Sequence, residues 1–120
     1  MANQIVWVDI PVVDLQRAMK FYAAVLGVPL SKESVPGIDM AILPHEDNGV
    51  GACLFRKSGE RPAEYGPLIY LNAQGRLDQA LSAAESNGGR VLEAKQSIGP
   101  HGYRAIVRDS EGNRIALHSM

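Results

Sequence analysis

Asp9, Tyr70, Arg104 and His118 are the side chains through which this chain could grip or polarise a small molecule. A carboxylate and an imidazole can move protons, and a guanidinium beside a phenol can hold an anion or a carbonyl oxygen. Each sits in a stretch that alternates apolar and polar residues, so each is expected on a strand, on the face turned away from the core. A carboxylate on a half-buried strand must be paired or wet, and Arg104 and His118 share the face on which Asp9 would find a partner. His101, in Gly99-Pro100-His101-Gly102, lies in a loop beside one of these strands, and loops next to sites carry function. The candidate catalytic residues are therefore His118, Asp9 and His101. The bland readings stand beside them: a structural ion pair for Asp9, a solvated loop histidine for His101. His45, in PHEDNG, reads as a surface turn and Cys53 as a small buried apolar residue. Arg56, Lys57 and Arg61 read as a solvated face. No Ser/His/Asp arrangement, phosphate loop or zinc-type Cys/His spacing is present.

The elements that must position these residues follow from periodicity. Ile5 to Val13 is β-branched and reads as a strand, with Pro11 near its end or at an edge. Asp14 is placed to cap a helix from Leu15 to Leu26, whose residues Leu15, Ala18, Met19, Tyr22 and Leu26 form one apolar stripe ending at Gly27. Three strands are expected next, Leu30 to Val35, Ile38 to Leu43 and Val50 to Arg56, divided by Pro36-Gly37 and by Pro44 to Gly49. Lys57 to Gly66 is a polar connector. The pattern then restarts: Leu15, Ala18, Met19 and Gly27 recur, at a constant offset of 62, as Leu77, Ala80, Leu81 and Gly89. A strand from Pro67 to Ala73 precedes this second helix, with Gly75 its expected cap. Strands at Arg90 to Ala94, Tyr103 to Arg108 and Arg114 to Ser119 follow it. The last is introduced by the turn Asp109-Ser110-Glu111-Gly112-Asn113, where the Asp109 side chain can close onto backbone amides.

Composition bounds the partners. With 120 residues, 46% hydrophobic and 21% charged, the chain is long enough for one globular domain and too short for two ordinary ones. A net charge of −1 with no basic run makes nucleic acid and anionic membranes poor partners. One cysteine excludes an internal disulfide, and no signal peptide is expected, so the expected location is the cytoplasm.

The order βαβββ, linker, βαβββ, with Asp14-Leu15-x-x-Ala18-x-x-Phe21-Tyr22-x-x-Val25-Leu26-Gly27 and Asp109-x-Glu111-Gly112-Asn113-x-Ile115-x-Leu117, resembles the vicinal oxygen chelate superfamily of glyoxalases, bleomycin-resistance proteins and extradiol dioxygenases. The resemblance covers essentially the whole chain. It implies an α+β glyoxalase-like fold in one domain, with modules at 1–57 and 66–120, a linker at 58–65, and mixed sheets curling around a cleft that is often completed in a homodimer.

The resemblance also implies a divalent metal held by His, Glu or Gln on four strands. Carried over by motif, those positions are Trp7, Leu68, Ala116, and Cys53 or, one residue along, Leu54. None of Trp7, Leu68 and Ala116 can ligate a metal, and a lone thiolate makes no site. No metal and no other cofactor is therefore expected. Trp7 either fills the space of the metal and its ligands or is an ordinary core tryptophan. Alternation turns Val6, Val8 and Ile10, Ile69 and Leu71, Ala105 and Val107, and Ile115 and Leu117 towards the helices. Trp7, Asp9, Leu68, Tyr70, Arg104, Ile106, Ala116 and His118 remain as the expected lining of a ligand cleft, with Asp9, Tyr70, Arg104 and His118 as one polar patch for an anionic or carbonyl ligand. The leading expectation is a metal-free small-molecule binder. The alternatives are a metal-dependent lyase, isomerase or dioxygenase of the glyoxalase type, and a non-catalytic dimeric binding module.

Overall fold

Asp14 begins the first helix as expected. In the computed structural model, which describes residues 3–120 (Val35 by its backbone alone), its carboxylate accepts the Arg17 amide at 3.1 Å. The helix, α1, spans Leu15–Leu26 and buries Leu15, Ala18, Phe21, Tyr22 and Val25. It ends where Gly27 turns left-handed at φ +72°, its amide donating to the Ala23 carbonyl at 2.8 Å. The second helix, α2 (Leu77–Ser86), keeps the repeated stripe through Leu77, Ala80 and Ala84. Its start departs from expectation. Arg76 rather than Gly75 holds the cap position, and no side chain caps it. Gly75 is used instead to turn the backbone at φ +73°, with its amide given to Ser119 Oγ. The Arg76 guanidinium reaches back to the Val25 carbonyl, so it serves the C-terminus of α1, where positive charge is favoured.

The strands are β1 (Trp7–Pro11), β2 (Ser31–Val35), β3 (Ile38–Ile42), β4 (Gly51–Arg56), β5 (Ile69–Asn72), β6 (Arg90–Ser97), β7 (Tyr103–Arg108) and β8 (Arg114–Ser119). They form two four-stranded mixed sheets, ordered β1-β4-β3-β2 and β5-β8-β7-β6. In each sheet the first strand lies parallel to the last and the remaining pairs are antiparallel, so the duplication read from the helices holds for topology as well. β6 runs three residues beyond the expected Ala94, and its ladder to β7 slips twice. Pro100 and its neighbours then form a single 3₁₀ turn, Gly99–His101, that carries His101. No helix among the described residues is long and apolar enough to cross a membrane.

The two helices pack against each other, and one apolar cluster joins them to Ile10, Leu54, Leu71, Val107, Ile115 and Leu117 of the sheets. The strand faces assigned to the core are therefore in the core, with one exception. Val6 is 72% exposed, one residue before the ladder to β4 begins at Trp7.

The turn before β8 fastens the second module to the first. Asp109 is buried, and its carboxylate accepts the amides of Glu111 and Asn113, each at 2.8 Å, and the Tyr22 hydroxyl of α1. Burial, then the Asp109 charge, hold the Tyr22 phenol well above its ordinary range, so it stays a neutral donor. Asn113 gives its side-chain amide to the Pro11 carbonyl at 2.7 Å and accepts the Ala63 amide at 3.1 Å. Glu111 accepts from the amides of Val13 (2.9 Å) and Asp14 (2.7 Å), from Arg17 Nε (2.7 Å) and Nη2 (3.0 Å), and from Ser110 Oγ (2.8 Å). Burial alone would raise its pKa. The Arg17 guanidinium, the two backbone amides and the Ser110 hydroxyl outweigh burial and hold the carboxyl below the ordinary glutamate range.

Glu111→Gln keeps the shape and removes the charge, leaving these donors with a poorer acceptor. Urea denaturation at neutral pH should show a loss of about 2–3 kcal/mol. Because the folded-state pKa is depressed, the wild-type contribution is complete above the unfolded value of about 4.3 and fades as pH falls through that value towards the folded one. The stability difference between wild type and Glu111→Gln should shrink over that acidic window. An unchanged difference would deny Glu111 this role.

Candidate functional site

On the face of the first sheet away from the helices, β1 presents Trp7 and Asp9. The indole lies flat over β4, because Gly51 stands opposite Trp7 in the ladder and has no side chain there. A Cβ on Gly51 would come within 2.5 Å of the ring. His45 meets the ring edge-on at 5.8 Å, and Trp7 Nε1 donates to Asp9 Oδ1 at 2.8 Å. Trp7 is thus pinned on three sides while 42% of it stays exposed, so it is a wall rather than a core residue. Cys53, across the ladder from Asp9, donates its S–H to the same carboxylate oxygen at 3.2 Å. Burial, then the Asp9 carboxylate, push the Cys53 thiol up to about 11.

The second sheet carries a separate group. Arg104 donates to the Tyr70 hydroxyl and lies 5.9 Å from the centre of its ring. His118 stands opposite Arg104 in the β7–β8 ladder, with its ring 6.3 Å from that of Tyr70. His118 Nε2 lies 2.6 Å from the His101 carbonyl, which only accepts, so that nitrogen carries the proton. Tyr70, Arg104, His118 and His101 therefore do come together. Asp9 does not join them. Its partners are Trp7 and Cys53, since β1 and β7 belong to different sheets. The single polar patch anticipated from alternation is in fact two groups. Ile106 and Ala116, expected in the cleft wall, are 3% and 0% exposed, on the two central strands of the second sheet.

Tyr70 stands between two concavities. One, of about 760 Å³, opens between β1 and the start of β5 and is lined by Trp7, Asp9, Leu68 and Tyr70. The other, of about 400 Å³, is lined by Tyr70, Ile98, His101 and His118. The larger also takes in Arg61, Tyr65 and Arg114, none of which was among the expected site residues. Arg114 carried a legible signal, since alternation sets it on the same face as Ala116 and His118. Arg61 and Tyr65 carried none, because a connector rich in Pro and Gly has no periodicity to place them.

The positions at which the wider family ligates a metal do not fit a cation here. Trp7 presents an N–H donor already engaged, Leu68 and Ala116 have no donor atoms, and Cys53 is held as a protonated thiol. Among the described residues no three of His, Cys, Asp and Glu gather as a metal would require.

Similarity to other proteins agrees with this architecture. The family model of the Glyoxalase/Bleomycin resistance protein/Dioxygenase superfamily matches residues 4–117. A glyoxylase-like domain-containing protein of Didymella fabae is 32% identical over 126 residues, spanning 96% of this chain and 92% of the relative. The crystal structure of a glyoxalase/bleomycin resistance protein from Albidiferax ferrireducens T118 shares the fold at a TM-score of 0.71 and 21% identity, over 98% of this chain and 99% of that one. Glyoxalase I from Zea mays does so at 0.70 and 22%, over 92% of this chain and 44% of that longer one. With two βαβββ modules, the phrase of the first helix and the turn before the last strand in place, the chain belongs to the glyoxalase/bleomycin resistance/dioxygenase superfamily.

Proposed function

We propose that this protein binds a small organic molecule in the cavity between β1 and β5, without a metal ion. The observation that carries the reading is Trp7. At the position where the family's first ligand would stand, an indole is locked in place by Gly51, His45 and Asp9 and turned to the cavity. A rigid aromatic wall recognises flat apolar surface at little entropic cost, and the cavity lies in the size range of ordinary small-molecule sites. The protein works in the cytoplasm, where the single Cys53 stays reduced.

Elemental analysis of protein purified without a metal-affinity tag should find no stoichiometric ion. The neutral fluorophore N-phenyl-1-naphthylamine should bind once per chain, about tenfold more weakly in Trp7→Ala. One tightly held ion per chain would overturn the reading and bring forward a metal-dependent lyase, isomerase or dioxygenase.

Cys53 takes no part as a nucleophile. With its thiol raised to about 11, alkylation by iodoacetamide at pH 8 should run roughly two orders of magnitude slower than that of an unperturbed thiol, and denaturant should restore the ordinary rate. Fast alkylation of the folded protein would show that the Asp9–Cys53 bond does not hold.

The protein forms a homodimer. Val6 is 72% exposed beside the β1 edge, and β2 and β6 are the outer edges of the two sheets. Apolar side chains along an unpaired edge are normally covered. Light scattering should give twice the chain mass over a wide concentration range, and monomer throughout would remove the proposal.

A further inference from the structure

We infer that the cavity selects organic anions: an acid group held by Arg61 and Arg114, on a flat apolar body laid against Trp7. The inference rests on the cavity being a ligand site, as proposed above, and adds the chemical class of the ligand. The charged groups lining the cavity are Asp9, Arg61 and Arg114, so the lining carries a net positive charge. Among the described residues none of the three is in an ion pair; the carboxylates of the chain that do pair are Glu111, Asp39, Asp78 and Glu64.

Arg114 is held at the first residue of β8. Its Nη2 donates to the Gly66 carbonyl at 3.1 Å, while Nε is buried and has no acceptor. The Gly66 bond holds the guanidinium at the cavity wall, where its Nη1, which makes no hydrogen bond among the described residues, can donate to an acid oxygen. The linker is fastened at the same point. The Ala63 amide donates to Asn113 Oδ1 at 3.1 Å and the Ala63 carbonyl accepts the Arg114 amide at 3.3 Å, which sets Arg61, two residues earlier, on the same side of the cavity. Asp9 stands on the β1 wall, with Oδ1 shared between Trp7 and Cys53. A negative wall on β1 and a positive wall at the linker and β8 orient an acid with its charge away from Asp9.

The test uses two fluorophores that differ by one charged group, 1-anilinonaphthalene-8-sulfonate and its neutral twin N-phenyl-1-naphthylamine. Trp7, the only tryptophan of the chain, reports occupancy of the cavity by quenching. An apolar cavity without cations prefers the neutral twin. The sulfonate should instead bind about tenfold more tightly, with an affinity that falls as salt is raised. Arg61→Gln, at an exposed linker position, and Arg114→Gln should each weaken the sulfonate several-fold and leave the neutral twin within about twofold. Equal or tighter binding of the neutral twin, with Trp7 quenched, would overturn the selectivity and leave the binding site standing. Quenching of Trp7 by neither compound would overturn both.

Discussion

A buried carboxylate normally weakens a fold unless it is surrounded by donors, and Glu111 is surrounded by five: the amides of Val13 and Asp14, two nitrogens of Arg17 and the hydroxyl of Ser110. Three of these residues, Val13, Asp14 and Arg17, belong to the other module, at the place where β1 ends and α1 begins. The negative charge thus sits at the positive end of α1 and satisfies amides that the helix itself cannot. Asp109 and Asn113 extend the same fastening to Tyr22, to the Pro11 carbonyl and to the linker. The apolar helix contact brings the modules together, and this turn fixes their register.

That register determines what kind of site the chain can have. β1 and β5 are edge strands of separate sheets, and the space between the two strands is the larger cavity. Asn113 and Arg114 stand at the junction of the turn and β8, so the residues that fasten the modules also place a cation at the cavity wall and draw the linker over it. Stability and site geometry share the same few atoms. By contrast the group of Tyr70, Arg104, His118 and His101 depends on the second sheet alone.

Much of the fold was legible because it rests on local chemistry. Asp14, the stripe from Leu15 to Leu26 and Gly27 specify α1 without reference to the rest of the chain, and the offset repeat specifies the second module. Alternation also sorted the strand faces correctly from Val8 to Leu117, failing at Val6, where the ladder had not yet begun. The candidate site was legible only in part. Alternation says which face a side chain takes but not which sheet lies opposite, so Asp9 was given Arg104 and His118 as neighbours when its partners are Trp7 and Cys53, on its own strand and on the strand paired with it. Nor does alternation report depth, which is why Ile106 and Ala116 were set in the cleft wall. Arg61 and Tyr65 depend on where an aperiodic linker is pinned, and that is decided by Asn113, fifty residues further along.

The fastening is also lopsided. Asp109 to Asn113 of the second module grip the first, whereas among the described residues Glu46 and Asp47, in the matching turn of the first module, are in no ion pair. The bond from the Asp14 amide to Glu111 spans 97 residues. On the ribosome, Asp14 at the start of α1 is therefore made 97 residues before the group that completes the first turn of that helix. Until the turn after β7 has emerged, the first module can have its partner helix but not its clasp. A nascent chain stopped before Glu111 lacks this clasp, and chaperones and proteases would treat it as unfinished.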